Sequence, residues 1–201
     1  MIANHVHDAL AQVRRLQEVI LEKRRFGGYS GRARIASGSV ALVGAWLLAA
    51  VFPAKPEAHL VGWGVVLAVA LVMNYGALAV WFFSDPGARR NRLMLKPAID
   101  AVPALAVGAI LTVALVAAKQ YDLLPGTWMC LYGLAQVAYR QSLPQGIYIV
   151  GLAYMACGAG ILLSTGLTFL NPWPMGAVFF AGELAGGLLL ISNRKDVEAL
   201  A

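Results

Sequence analysis

Residues 174–192 read PMGAVFFAGELAGGLLLIS, nineteen positions with a single ionisable group, Glu183, near the middle. A helix of that length crosses the hydrocarbon core of a bilayer, which takes roughly 20 apolar residues. Glu183 then lies close to the midplane, where a charge costs about 2.5 kcal/mol or more. The rest of the chain has to supply a partner for it, a wet cavity or a proton.

Composition agrees with immersion in lipid. Hydrophobic residues make up 60% of the chain and charged residues 13%, against roughly 45–50% and 25% in soluble domains. Five further apolar stretches approach or exceed spanning length: 35–52, 60–83, 98–118, 125–140 and 147–165. The expected fold is therefore an all-α membrane protein, six transmembrane helices in one bundle, preceded by an N-terminal amphipathic helix. Residues 1–34 form the cytoplasmic helix and a Gly/Arg-rich joint, 35–192 the bundle and 193–201 a cytoplasmic tail.

The N-terminal helix is read from Val6, Ala9, Val13, Leu16 and Ile20, which repeat at helical spacing between charged positions. It is expected to lie on the cytoplasmic membrane surface, its basic residues facing anionic lipid. Pairing with a second copy is the rival reading, but so short a stripe makes a marginal coiled coil. His5 and His7 point to different sides of such a helix, so no metal site is expected there. Gly27, Gly28 and Gly31 then break it. The GGYSG stretch lacks the final glycine of a nucleophile elbow, because Arg32 stands in its place.

Lysine and arginine concentrate on the side of a membrane protein that stays in the cytoplasm. With the N-terminus inside, fourteen of the 16 basic residues fall on that side, leaving only Lys55 and Lys119 outside. Six spans then bring the C-terminus back inside, in a bacterial-type inner membrane. The net charge of +6 is explained by this alternation with the spans, and a nucleic-acid partner is not expected. Arg89, Arg90, Arg92 and Lys96, in one inner loop, are expected to contact lipid headgroups. Trp63, Trp128 and Trp173 fall near outer span ends, with Trp81 and Phe82 at an inner end, as an interfacial belt requires. Small residues repeat at four-residue spacing (Ala41, Ala45 and Ala49; Ala104 and Gly108; Ala156 and Gly160; Gly182 and Gly186), which lets helix backbones approach closely.

Depth orders the polar groups, since a helix rises about 1.5 Å per residue. Asn74, Tyr132 and Tyr154 sit within about a turn of the level of Glu183, so a midplane cluster of these four residues is expected. Arg140 lies at the inner end of its span, too far along for Glu183. It is matched instead with Asp100, with Gln136 one turn deeper, as an inner-side clip.

Enzyme signatures are sparse. There is no H-E-x-x-H, no phosphate-binding loop and no G-x-G-x-x-G after a strand. Cys130 and Cys157 fall inside spans and form no metal or redox spacing, and no cofactor is expected. The leading expectation is a non-enzymatic accessory or interaction subunit, bound to the bilayer and reaching a protein partner through its N-terminal helix. The alternative is a proton-coupled or small-solute carrier centred on Glu183. A lipid-modifying enzyme comes third, for want of a nucleophile–base pair.

Overall fold

A computed structural model of the chain describes residues 10, 12–13, 29–84, 86, 99–138 and 143–199. Among them every long element is helical: α1 (Gly31–Ala50), α2 (Pro56–Ser84), α3 (Val102–Ala117), α4 (Leu124–Ala138), α5 (Gln145–Leu163) and α6 (Trp173–Ala199). One 3₁₀ turn, Tyr121–Leu123, leads into α4. Four helices are long and apolar enough to cross a membrane, namely α1, α2, α5 and residues 173–193 of α6. The other two are shorter, at 16 residues in α3 and 15 in α4. The expected N-terminal helix, apart from Leu10, Gln12 and Val13, lies outside the described residues.

Local sequence sets the helix ends. Ser30 caps α1 from an extended conformation, its Oγ accepting from the amide of Ala33 at 3.3 Å, which satisfies one of the orphan donors of the first turn. Proline stands in the first turn of α3 and immediately ahead of α5, where its missing N–H costs nothing. The 29 residues of α2 reach about 44 Å, well beyond a hydrocarbon core of about 30 Å.

The helices pack in the order α2, α1, α6, α5, α4, α3, each mainly against its neighbours in that row. Chain order and packing order therefore differ, and α6 closes against α1. The two end members are nearly bare. Only His59, Gly62, Trp63 and Leu78 are buried in α2, and none in α3. Valine and leucine cover their free faces, as expected for surface that meets lipid.

Glycine makes the two closest crossings. Gly31 and Gly187 meet backbone to backbone between α1 and α6, a methyl on Gly187 standing 2.6 Å from the Gly31 carbonyl oxygen. Further along, Gly176 lies against Ala45. Between α4 and α5 the pairs are Gly133 with Gly151 and Gly126 with Gly158. A methyl on Gly151 would stand 2.9 Å from the Gly133 carbonyl, and one on Gly158 2.7 Å from that of Gly126. The seven-residue spacing along both helices keeps one seam in contact, as in a left-handed crossing. The row expected on α5 is corrected: Ala156 is exposed and Gly160 has open space before it. Gly151 and Gly158, on the opposite side of α5, carry the crossing.

Two apolar clusters close the ends. Near Ser30 and Leu143, Leu78, Ala101, Ala135, Leu143 and Ile147 pack together. At the other end Phe169, from the α5–α6 connection, fills a box of rings: Tyr121 stacked at 6.3 Å, with His59 and Trp128 edge-on. Asp122 pins it by accepting from the Phe169 amide at 2.7 Å. Two expected belt residues serve this interior. Trp63 is buried, and the Trp128 indole N–H donates to Thr112 Oγ1 at 2.8 Å.

The glycine crossings give a direct test. Gly158→Leu drives a side chain into the α4 backbone, and overpacking of this kind costs about 1–3 kcal/mol or more. Gly160→Leu projects into open space and is expected to leave stability unchanged. Thermal unfolding of the two variants in detergent, followed by size-exclusion chromatography, separates the seam from the free face.

A four-helix polar clamp as candidate functional site

Glu183 sits on α6 facing α1, with Gly182 and Gly186 nearby on the same helix. A Cβ at Gly182 would collide with the Tyr154 ring, and one at Gly186 would stand 2.8 Å from the Arg34 guanidinium carbon. These two glycines leave slots for side chains. Gly38, on α1, clears the Glu183 stem in the same way. The small residues around Glu183 thus accommodate the groups that satisfy it.

The carboxylate is held on both oxygens. Arg34 donates from Nε to Oε2 and from Nη2 to Oε1, each at 2.8 Å, a two-point pairing that fixes orientation as well as charge. Oε1 also accepts from the Tyr132 hydroxyl at 2.8 Å. Tyr154 shares its hydroxyl proton between Oε1, at 3.3 Å, and the Phe179 carbonyl, at 3.1 Å. The two tyrosine rings meet edge-on at 5.1 Å, and each packs on Phe179 at 5.4 Å. Arg34 Nη2 reaches further, donating to Gln136 Oε1 at 3.1 Å. Residues of α1, α4, α5 and α6 are tied at one point, with Arg34 5% and Glu183 4% exposed.

Of the residues expected at mid-depth, Tyr132 and Tyr154 lie on Glu183 and Asn74 does not. Asn74 is on α2, beyond α1 in the row, and its Nδ2 donates to Ala70 O of its own helix at 2.9 Å. Depth places a residue along a helix axis but gives no direction around it. Gln136, expected beside Asp100 and Arg140, binds Arg34 instead, and Asp100 is exposed ahead of α3. Arg140 and the headgroup residues Arg89, Arg90, Arg92 and Lys96 lie outside the described residues.

The cation on Glu183 is Arg34, which sequence reasoning missed. Starting the first span at Ile35 leaves Arg34 in the joint, whereas α1 begins at Gly31 and carries Arg34 one turn into the bundle. The signal was present. Ser30 is an N-cap residue, and Gly31 and Gly38 have the seven-residue spacing of a packed face.

The pair behaves as one unit in low dielectric. Removing one member leaves the other charge buried and unpaired, at a cost of about 3–5 kcal/mol. Glu183→Gln and Arg34→Met are each expected to lose that much stability. The double variant Arg34→Met/Glu183→Leu should recover most of the loss, since an apolar replacement of both charges is often neutral. Tyr132→Phe should cost far less, about 0.6 kcal/mol. Denaturation in mixed micelles measures all four.

No protein-family model matches the chain, and comparisons with curated proteins and with solved structures found no match.

Proposed function

We propose that this chain is a non-enzymatic integral membrane protein that acts through a partner, the buried clamp serving to hold its helices rigid. The observation that carries this reading is the state of Glu183. Both of its oxygens are occupied and its charge is compensated by Arg34, so it serves as a tie between helices. A carrier centred on Glu183 would need that acid to exchange protons, and here the exchange would leave Arg34 buried without its counter-charge.

A second feature supports the partner role. Gly31 and Gly187 touch, so the start of α1 and the last third of α6 emerge side by side. Helix α6 runs on to Ala199, 27 residues in all, about 40 Å and hence past one face of a hydrocarbon core of about 30 Å. The start of α1 and the end of α6 thus lie at one corner of the bundle, where a partner of the preceding amphipathic sequence would be met.

In this reading α3 and α4 also cross the membrane, making six spans in a bacterial-type inner membrane with both termini cytoplasmic. The basic residues support that orientation, since all but Lys55 and Lys119 then lie on the inner side or, like Arg34, near the inner end of a span. The short α3 and α4 fit a locally thinned bilayer or a span completed by flanking residues.

Deletion of residues 1–25 tests the proposal. Full-length and truncated protein, each tagged at the C-terminus, are crosslinked in membranes and purified. The expected result is loss of a stoichiometric partner from a bundle that keeps its unfolding temperature. Retention of every partner would remove the N-terminal segment from the docking surface. Accessibility of single cysteines placed at Lys55, Lys119 and Arg90 checks the topology separately, with the first two expected on the outside.

A further inference from the structure

The clamp contains more donors than acceptors. A guanidinium has five N–H groups and a carboxamide two. Arg34 uses three of its own, one from Nε and two from Nη2, on Glu183 and Gln136. Its Nη1 has no acceptor among the described residues. Gln136 is 1% exposed, and its Nε2 is buried with no hydrogen-bond partner. The orientation of that amide is fixed, because its oxygen must face the donor on Arg34. Two N–H groups on each residue are therefore unspent within one side-chain cluster.

The buried Gln136 Nε2 is a donor without an acceptor, which costs about 1–3 kcal/mol. Every other polar group of the clamp is satisfied: three donors converge on Glu183 Oε1 and one on Oε2. The surplus is thus local and of one sign. It lies toward the Ser30 and Leu143 end of the bundle, since Arg34 is in the first turn of α1 and Gln136 in the last turn of α4. The positive end of the α1 dipole is at that end as well, and so is the exposed Arg32.

We propose that Arg34 and Gln136 form a binding site for an oxyanion, a sulfate- or phosphate-like group entering from the Ser30 end of the bundle. The chemistry follows from the donors. A group with several acceptor oxygens can engage Nη1 and Nε2 together, and a negative one is favoured over water where guanidinium, helix terminus and basic surface coincide. Glu183 stays on the other edge of the guanidinium, so the anion adds to the clamp and does not displace it. The site is independent of the partner role above: it would make the rigidity of four helices respond to a ligand. A free anion and the phosphate of an inner-leaflet lipid share this chemistry.

The test uses the full chain purified in a sugar detergent free of phosphate and sulfate. It is titrated with sodium sulfate and, separately, with a short-chain phosphatidic acid, with sodium chloride at matched ionic strength as control. Binding is read by calorimetry and by the rise in unfolding temperature. Gln136→Glu is the diagnostic variant, because it keeps an oxygen for Arg34 Nη2 while replacing the free amide with a negative charge. Gln136→Met serves if that variant fails to fold. Saturable sulfate binding, weakened about tenfold or more in the variant, supports a soluble oxyanion. A response to the phosphatidic acid alone, lost in the same variant, supports a lipid headgroup. No response to either ligand beyond the chloride control, or one that the variant leaves unchanged, overturns the site and leaves water as the occupant.

Discussion

A carboxylate placed at the depth of lipid tails cannot be left to itself, and the architecture follows from how this one is satisfied. Glu183 takes its charge partner from α1 and its hydroxyl partners from α4 and α5. Lipid gives helices no hydrophobic reason to associate, so a polar tie common to four of them can specify their arrangement. Whether it also adds net stability is a separate matter, because burying two charges offsets much of what their attraction contributes. Its geometry fits it to specify which helices meet.

The tie depends on glycine. An Arg34 guanidinium and a Tyr154 ring fit against α6 only because Gly186 and Gly182 present bare backbone to them, and Gly38 clears the Glu183 stem from the other side. The Gly31–Gly187 contact then brings α1 near enough for Arg34 to reach with both Nε and Nη2. On the far side, the Gly126–Gly158 and Gly133–Gly151 contacts hold α4 and α5 together, so that Tyr132 and Tyr154 arrive as a pair. Close backbone approach and charge compensation are two aspects of a single packing solution.

Much of this was legible in the sequence. Six apolar stretches correspond to the six helices, with ends differing by a few residues except in α6, which runs seven further, and Glu183 stands out as the one acid in the last stretch. The level of Tyr132 and Tyr154 followed from helical rise alone. Direction around each axis did not follow, and Asn74 shows why: at the right height, it lies on a helix that packs mainly against α1. The apolar pattern is almost uniform around each span, so no amphipathic stripe marks which face turns inward. Arg34 was lost for a different reason. A hydropathy reading ends a span at the first arginine, whereas the capped helix begins four residues earlier and buries it.

The row order of the helices bears on how the protein is made. Arg34 and Glu183 are 149 residues apart in the chain, and at about 5–20 residues per second the ribosome needs roughly seven to thirty seconds to travel between them. Through that interval α1 is already synthesised while the helix that neutralises its arginine does not yet exist. The nascent first helix therefore has to wait at the insertion machinery, or with its arginine drawn back toward the headgroups, until the last span arrives. Completion of the clamp waits on synthesis of α6, and a product truncated before it would carry an unpaired intramembrane cation by which quality control can recognise it.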